Sequence, residues 1–204
     1  MKRALIAVAL AVLLTAPAAP SAAADRLLVE MRHNLDRLGC GHNAPFALLY
    51  LRTTEAMRGA IRAGEFSDGP LWNRVTTGFG RYYLDPIKAW RRGHPQRAPR
   101  AWRIAFRAAK RKQVSTLGDL MLGINAHINR DLAFIYYRLG VTNYADHLHV
   151  NTVLARVQPT AYPEIIATFD PALGSETSND PTLSLDTLDR SERWQLMGGD
   201  FDVS

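Results

Sequence analysis

The chain reads as an all-α protein, a single irregular multi-helix bundle. Three observations predict this. Apolar residues recur at helical spacing along the middle of the chain, with no run of alternating apolar and polar residues of the kind a strand needs. Gly, Pro, Ser and Asn stand where helices would start and stop. There are no internal repeats and no heptads long enough for a coiled coil, so short helices must bury their faces against one another.

The first 24 residues are expected to be a cleaved signal. Lys2 and Arg3 precede an apolar run to Leu14, and the small residues of "SAAA" follow, with cleavage after Ala23 or Ala24. The apolar run is shorter than the roughly 20 residues a membrane span takes. The signal predicts a secreted or otherwise extracytoplasmic protein. Residues 25–170 then form the helical domain, and 171–204 an acidic, polar, poorly ordered tail. Cys40 is the single cysteine, so no intrachain disulfide is available, and stability must come from packing or a bound ion.

The helices follow in order. "DRLLVEMRHNLDRLG" carries the first. "APFALLYLRTTEAMRGAIRAG" carries the second, with Phe46, Leu49, Tyr50, Thr53, Met57 and Ile61 on one face. "FSDGP" is a turn in which Asp68 caps the next helix. That third stretch is expected to be interrupted near Pro86, which lacks a backbone donor. "RAWRIAFRAAKRK" is a basic amphipathic helix. Ser115 or Thr116 caps a helix over 117–139, and Gly140 ends it. Thr142 or Asn143 caps another over 143–157, and Pro159 and Pro163 bracket a break after it. The two helices joined near Gly140 are expected to pack antiparallel. Trp72, Tyr82, Tyr83, Trp90 and Trp102 are assigned to the core.

The formal charge is +6, and it is polarised. Residues 88–112 hold ten Lys and Arg residues and no acid, whereas Asp and Glu dominate from Glu164 onward. The tail and the basic segment can neutralise one another, or the basic face can make weak contact with an anionic surface. Nucleic-acid binding is a poor fit, because no recognised module is present. A P-loop, a dinucleotide-binding glycine pattern, a nucleophile elbow and a His-Glu-x-x-His zinc motif are absent from the sequence.

One stretch bears on chemistry, "GINAHINRDL". On a wheel of about 100° per residue, Asp131 falls about 40° from His127, beside Leu120, Ile124, Phe134 and Ile135. Asp119, Gly123 and Arg130 fall on the side expected to face solvent. His127 and Asp131 therefore sit on the core face, where a lone carboxylate must be paired, protonated or metal-bound. On the next helix Tyr144, His147, Val150, Asn151 and Leu154 share a face, with Asp146 at its edge and His149 pointing away into solvent. Three readings stay open. His127, Asp131, Asp146 and His147 could hold a divalent metal such as Zn, Mn or Fe. His127 and Asp131 could be a metal-free acid–base pair. The group could be a structural polar network that sets helix register.

Arg52 and Glu55 read as a surface pair, and His33, His42 and His94 as exposed. Cys40 is not a candidate nucleophile. "ALLYLRTTEAM", "RYYLD", "AWRIAFRAA", "LMLGINAHINRDLA" and "DHLHVNTVL" together resemble a bacterial helical family of uncharacterised function, domain-of-unknown-function family 5995. The resemblance implies the same positions, His127, Asp131, Asp146, His147 and Asn151, and supplies no mechanism. After about Asp170 the chain is expected to depart from that family. The functional expectation is a metal-dependent hydrolase with its site between helices 117–139 and 143–157. The alternative is a non-catalytic bundle that binds a small molecule or lipid.

Overall fold

The computed structural model describes residues 22–171, and within them every regular element is helical. Apart from Ala22–Ala24, the signal expected at 1–24 lies outside the described residues, and so, apart from Pro171, does the tail expected at 171–204. Helix α1 spans Ala22–Leu38, α2 Ala44–Arg62, α3 Gly69–Arg91 and α4 Arg100–Arg111. Next come α5, Thr116–Ala126, a π-helical segment, His127–Leu132, and α6, Ala133–Leu139, which run on without a loop. Helix α7, Tyr144–Phe169, closes the domain.

Helix α2 is the central post. Every residue from Ala44 to Leu51 is buried, so the first half of this helix is apolar all round and needs neighbours on every side. It packs against α1, α3, α5 and α7. Arg52 holds α7 through two bonds to Glu164, 2.8 and 2.5 Å, and also meets Glu55 at 3.1 Å. The expected surface pair is thus one corner of an interhelix bridge. Helix α4 turns Trp102, Ala105, Phe106 and Ala109 inward and leaves its arginines outside.

Several caps are as the sequence predicts. The Asp68 carboxylate accepts from Leu71 N at 2.8 Å, Ser115 caps α5, Asn143 caps α7, and Gly140 ends α6 in the left-handed region at φ 64°. Three expectations are corrected. Helix α3 continues past Pro86, and α7 continues past both Pro159 and Pro163. Each proline removes one backbone bond; the long flank of α2 against α7 outweighs that loss at Pro159 and Pro163, and Pro86 is itself buried in the core. Helix α7 also lies along α2, and it does not pack closely against the α5–α6 rod as an antiparallel hairpin would. What separates the two is a cavity.

The wheel is corrected too. Asp119 and Gly123, assigned to the solvent side, are buried, because α5 is covered by α4 on one side and α2 on the other. Phe46 lies against Gly123 so closely that a Cβ there would sit 2.5 Å from the ring. Phe134, assigned to the core, is half exposed. The π segment places its hydrogen bonds one residue further along than an α-helix, which rotates everything after it.

Candidate functional site

The cavity has a volume of about 150 Å³ and is walled by α2, α3, the α5–α6 rod and α7. Its lining is mostly apolar and aromatic, including Phe46, Tyr50, Met57, Trp72, Phe79 and Leu154. The face of α7 expected from the sequence lines it entire: Tyr144, His147, Val150, Asn151 and Leu154. On the opposite wall stands His127.

His127 and Asp131 are both buried and meet inside the π segment, Nδ1 to Oδ2 at 3.0 Å. Asp131 is fully enclosed, so its oxygens need donors. Trp102 gives its indole N–H to Oδ2 at 2.7 Å, and Arg130 donates to Oδ1. The guanidinium of Arg130 also lies 4.7 Å over the Phe134 ring, which gives that half-exposed aromatic a partner. Because the carboxylate accepts, the proton of the His127 ring belongs on Nδ1, and Nε2 is left as a bare acceptor.

The ring has little freedom. It stacks on Phe79 with centroids 3.6 Å apart and planes 11° from parallel, and Tyr50 meets it edge-on at 4.3 Å. Burial pushes the imidazole below its ordinary pKa, and the pull of Asp131 in the other direction is smaller. The ring is therefore neutral at pH 7. Its Nε2 is buried and has no hydrogen-bond partner. The Thr76 hydroxyl, on a neighbouring stretch of the same cavity wall, is buried and unpartnered as well.

The other expected ligands lie elsewhere. The Asp146 carboxylate accepts from Ser67 N at 3.1 Å, Ser67 Oγ at 2.7 Å and Trp72 Nε1 at 2.8 Å. Burial raises its pKa, but these donors outweigh that and hold it below the usual carboxylate range. It pins the start of α7 to the turn before α3. His147 lines the cavity with Nδ1 bonded to the Tyr136 hydroxyl at 2.9 Å, and burial lowers its pKa. The structure brings His127 to Asp131 and sets His127 and His147 on one cavity, while Asp146 faces a different set of partners. Among the described residues no three His, Cys, Asp or Glu side chains are grouped to hold a metal ion.

Two histidines read as exposed are paired. His42 Nδ1 lies 2.5 Å from Oδ2 of the buried Asp119, and His149 Nε2 lies 2.8 Å from Glu65 Oε2. His33 and His94 are exposed. Sequence reasoning misses the two tryptophan–aspartate bonds. A usable signal is present: a buried indole N–H seeks an acceptor, and the chain offers buried tryptophans beside carboxylates on core-facing positions.

The family model described as "Family of unknown function (DUF5995)" matches residues 24–188, and the chain belongs to that family. The match continues past Asp170, so the departure expected there does not occur at that point. No curated protein and no solved structure gives a significant match.

Proposed function

We propose that the cavity binds a small, mainly apolar molecule that donates one hydrogen bond to Nε2 of His127. The observation that carries this reading is the buried, unpartnered Nε2 of His127, a residue that lines an apolar cavity. Leaving a buried acceptor unpaired costs roughly 1–3 kcal/mol, which a donor on the ligand would recover. A cavity of order 150 Å³ holds one benzene-sized ring. Asp131 and Phe79 keep the imidazole oriented before the ligand arrives, so little ordering is left to do on binding. A phenol, or a short aliphatic alcohol, has the required size and polarity.

The test is calorimetric titration of the protein with p-cresol. Saturable one-to-one binding is expected, lost in His127→Phe with the helical circular-dichroism signal intact. Absence of binding to the folded native protein would remove the proposal.

A second reading is favoured by the same pair. A carboxylate that fixes Nδ1–H and leaves Nε2 free is the arrangement of an oriented general base, which could take a proton from water or from a hydroxyl. This keeps the expectation of a hydrolase while dispensing with a metal. It predicts ester hydrolysis that falls at least tenfold in His127→Gln. Export, argued from residues 1–24, and anionic-surface contact through residues 88–112 belong with these proposals. Among the described residues, no helix is long and apolar enough to cross a membrane.

A further inference from the structure

The two histidines on the cavity wall carry opposite hydrogen-bonding polarity. His127 presents a bare Nε2, because Asp131 takes the proton on its Nδ1. His147 is arranged the other way. Its Nδ1 meets the Tyr136 hydroxyl at 2.9 Å, and that hydroxyl is mostly buried, with burial raising its pKa well above the ordinary phenol value. A protonated phenol is the donor in such a pair, since reversing it would leave the hydroxyl hydrogen without an acceptor. Nδ1 of His147 is therefore the acceptor, and its proton lies on Nε2, which becomes a donor. One imidazole of the cavity accepts and the other donates.

The two imidazoles stand near different turns of α3. His127 stacks on Phe79, while His147 reaches Trp72 through Tyr136, whose ring lies 6.1 Å from the indole. Trp72 and Phe79 are seven residues apart on one helix, a rise of about 10 Å. The wall is mostly aromatic and aliphatic, and Thr53, Thr54, Thr76, Asn151 and Gln158 are its further polar residues.

We infer that the cavity selects a small, mainly apolar molecule with a hydrogen-bond donor at the His127 end and an acceptor at the His147 end. This rests on the binding role proposed above, and adds to it the identity of the second end. His147 is then a specificity-determining residue.

The experiment compares p-cresol, which carries only the donor, with 4-methoxyphenol, which carries donor and acceptor on one ring. Dissociation constants are measured by calorimetry for the native protein, His147→Phe and His147→Ala, each checked for native helicity. The native protein is expected to bind 4-methoxyphenol about fivefold or more tightly than p-cresol. Both variants are expected to bind the two within twofold of each other. An equal affinity in the native protein overturns the inference and leaves the His127 reading standing. An advantage that survives in a folded His147 variant also overturns it, and would assign the second contact to another polar residue of the wall, such as Thr76 or Asn151. Failure of p-cresol itself to bind removes both. A readout free of variants is the proton–nitrogen correlation spectrum of histidine-labelled native protein. His127 should show the Nδ1–H form and His147 the Nε2–H form, and a shared tautomer would refute the assignment.

Discussion

Trp102 and Asp131, 29 residues apart in the chain, are joined by an indole N–H bond of 2.7 Å to an oxygen that also receives His127. The aspartate sits in the π segment and the tryptophan on α4, so the bond fixes the basic helix to the histidine's support. Both side chains are fully enclosed. A buried carboxylate in this position needs all of its donors.

Trp102→Phe keeps an aromatic ring and removes one donor. It should lower unfolding stability by about 1.5–3 kcal/mol, in the range of a hydrogen bond to a charged group. Urea unfolding followed by fluorescence of the remaining tryptophans would measure it. A loss below about 0.5 kcal/mol would mean that Arg130 and His127 satisfy the carboxylate without help.

Stability should also depend on pH through the cavity histidines. Burial lowers the pKa of both His127 and His147, so the unfolded chain binds more protons than the folded one as pH falls below the ordinary histidine value. Above about pH 6.5 both states are neutral and these residues add no slope. Below it, stability should fall as the unfolded imidazoles are protonated, down to the folded pKa values. Urea midpoints at pH 7.5, 6.5 and 5.5 would show the decline, and His127→Phe should flatten it.

Gly123→Ala tests the closeness of α5 and α2. Alanine is the better helix former by about 1 kcal/mol. The added Cβ would nevertheless meet the Phe46 side chain at 2.5–2.8 Å, and Phe46 also packs on Trp102 and His127. Net destabilisation of about 1–3 kcal/mol is expected, visible as a lower melting temperature. A rise in melting temperature would show that Phe46 moves aside freely.

Asp146→Ala separates the two carboxylates. It leaves Ser67 and the Trp72 indole without their acceptor, and about 2–3 kcal/mol of stability should be lost. Affinity for p-cresol should stay within about threefold where the variant is folded, because Asp146 supports the start of α7 and not the imidazole of His127. A large loss of binding at unchanged helicity would return Asp146 to the site.

Much of this arrangement is legible in the residues. The caps at Asp68, Ser115 and Asn143 follow from side-chain chemistry acting within four residues. The α7 face from Tyr144 to Leu154 follows from spacing alone. What escapes depends on neighbours remote in sequence. Pro159 and Pro163 look like a break because the support of α2 cannot be seen from α7. Asp119 looks solvated because its partner, His42, is 77 positions away. Phe134 looks buried because a wheel of constant pitch has no place for a π turn. The pair His127–Asp131 is visible, but its third member, Trp102, lies on another helix, and the partners that hold Asp146 lie 74 to 79 positions from it.

The gap between α7 and the α5–α6 rod gives the protein a built-in reporter. Any compound that fills the cavity binds the folded chain and has no equivalent site on the unfolded one. By mass action it raises the unfolding free energy by about 2.7 kcal/mol when present at a hundred times its dissociation constant. Melting temperature then becomes a gauge of occupancy, readable across large sets of single-ring compounds with no assay of turnover and before any natural ligand has been identified.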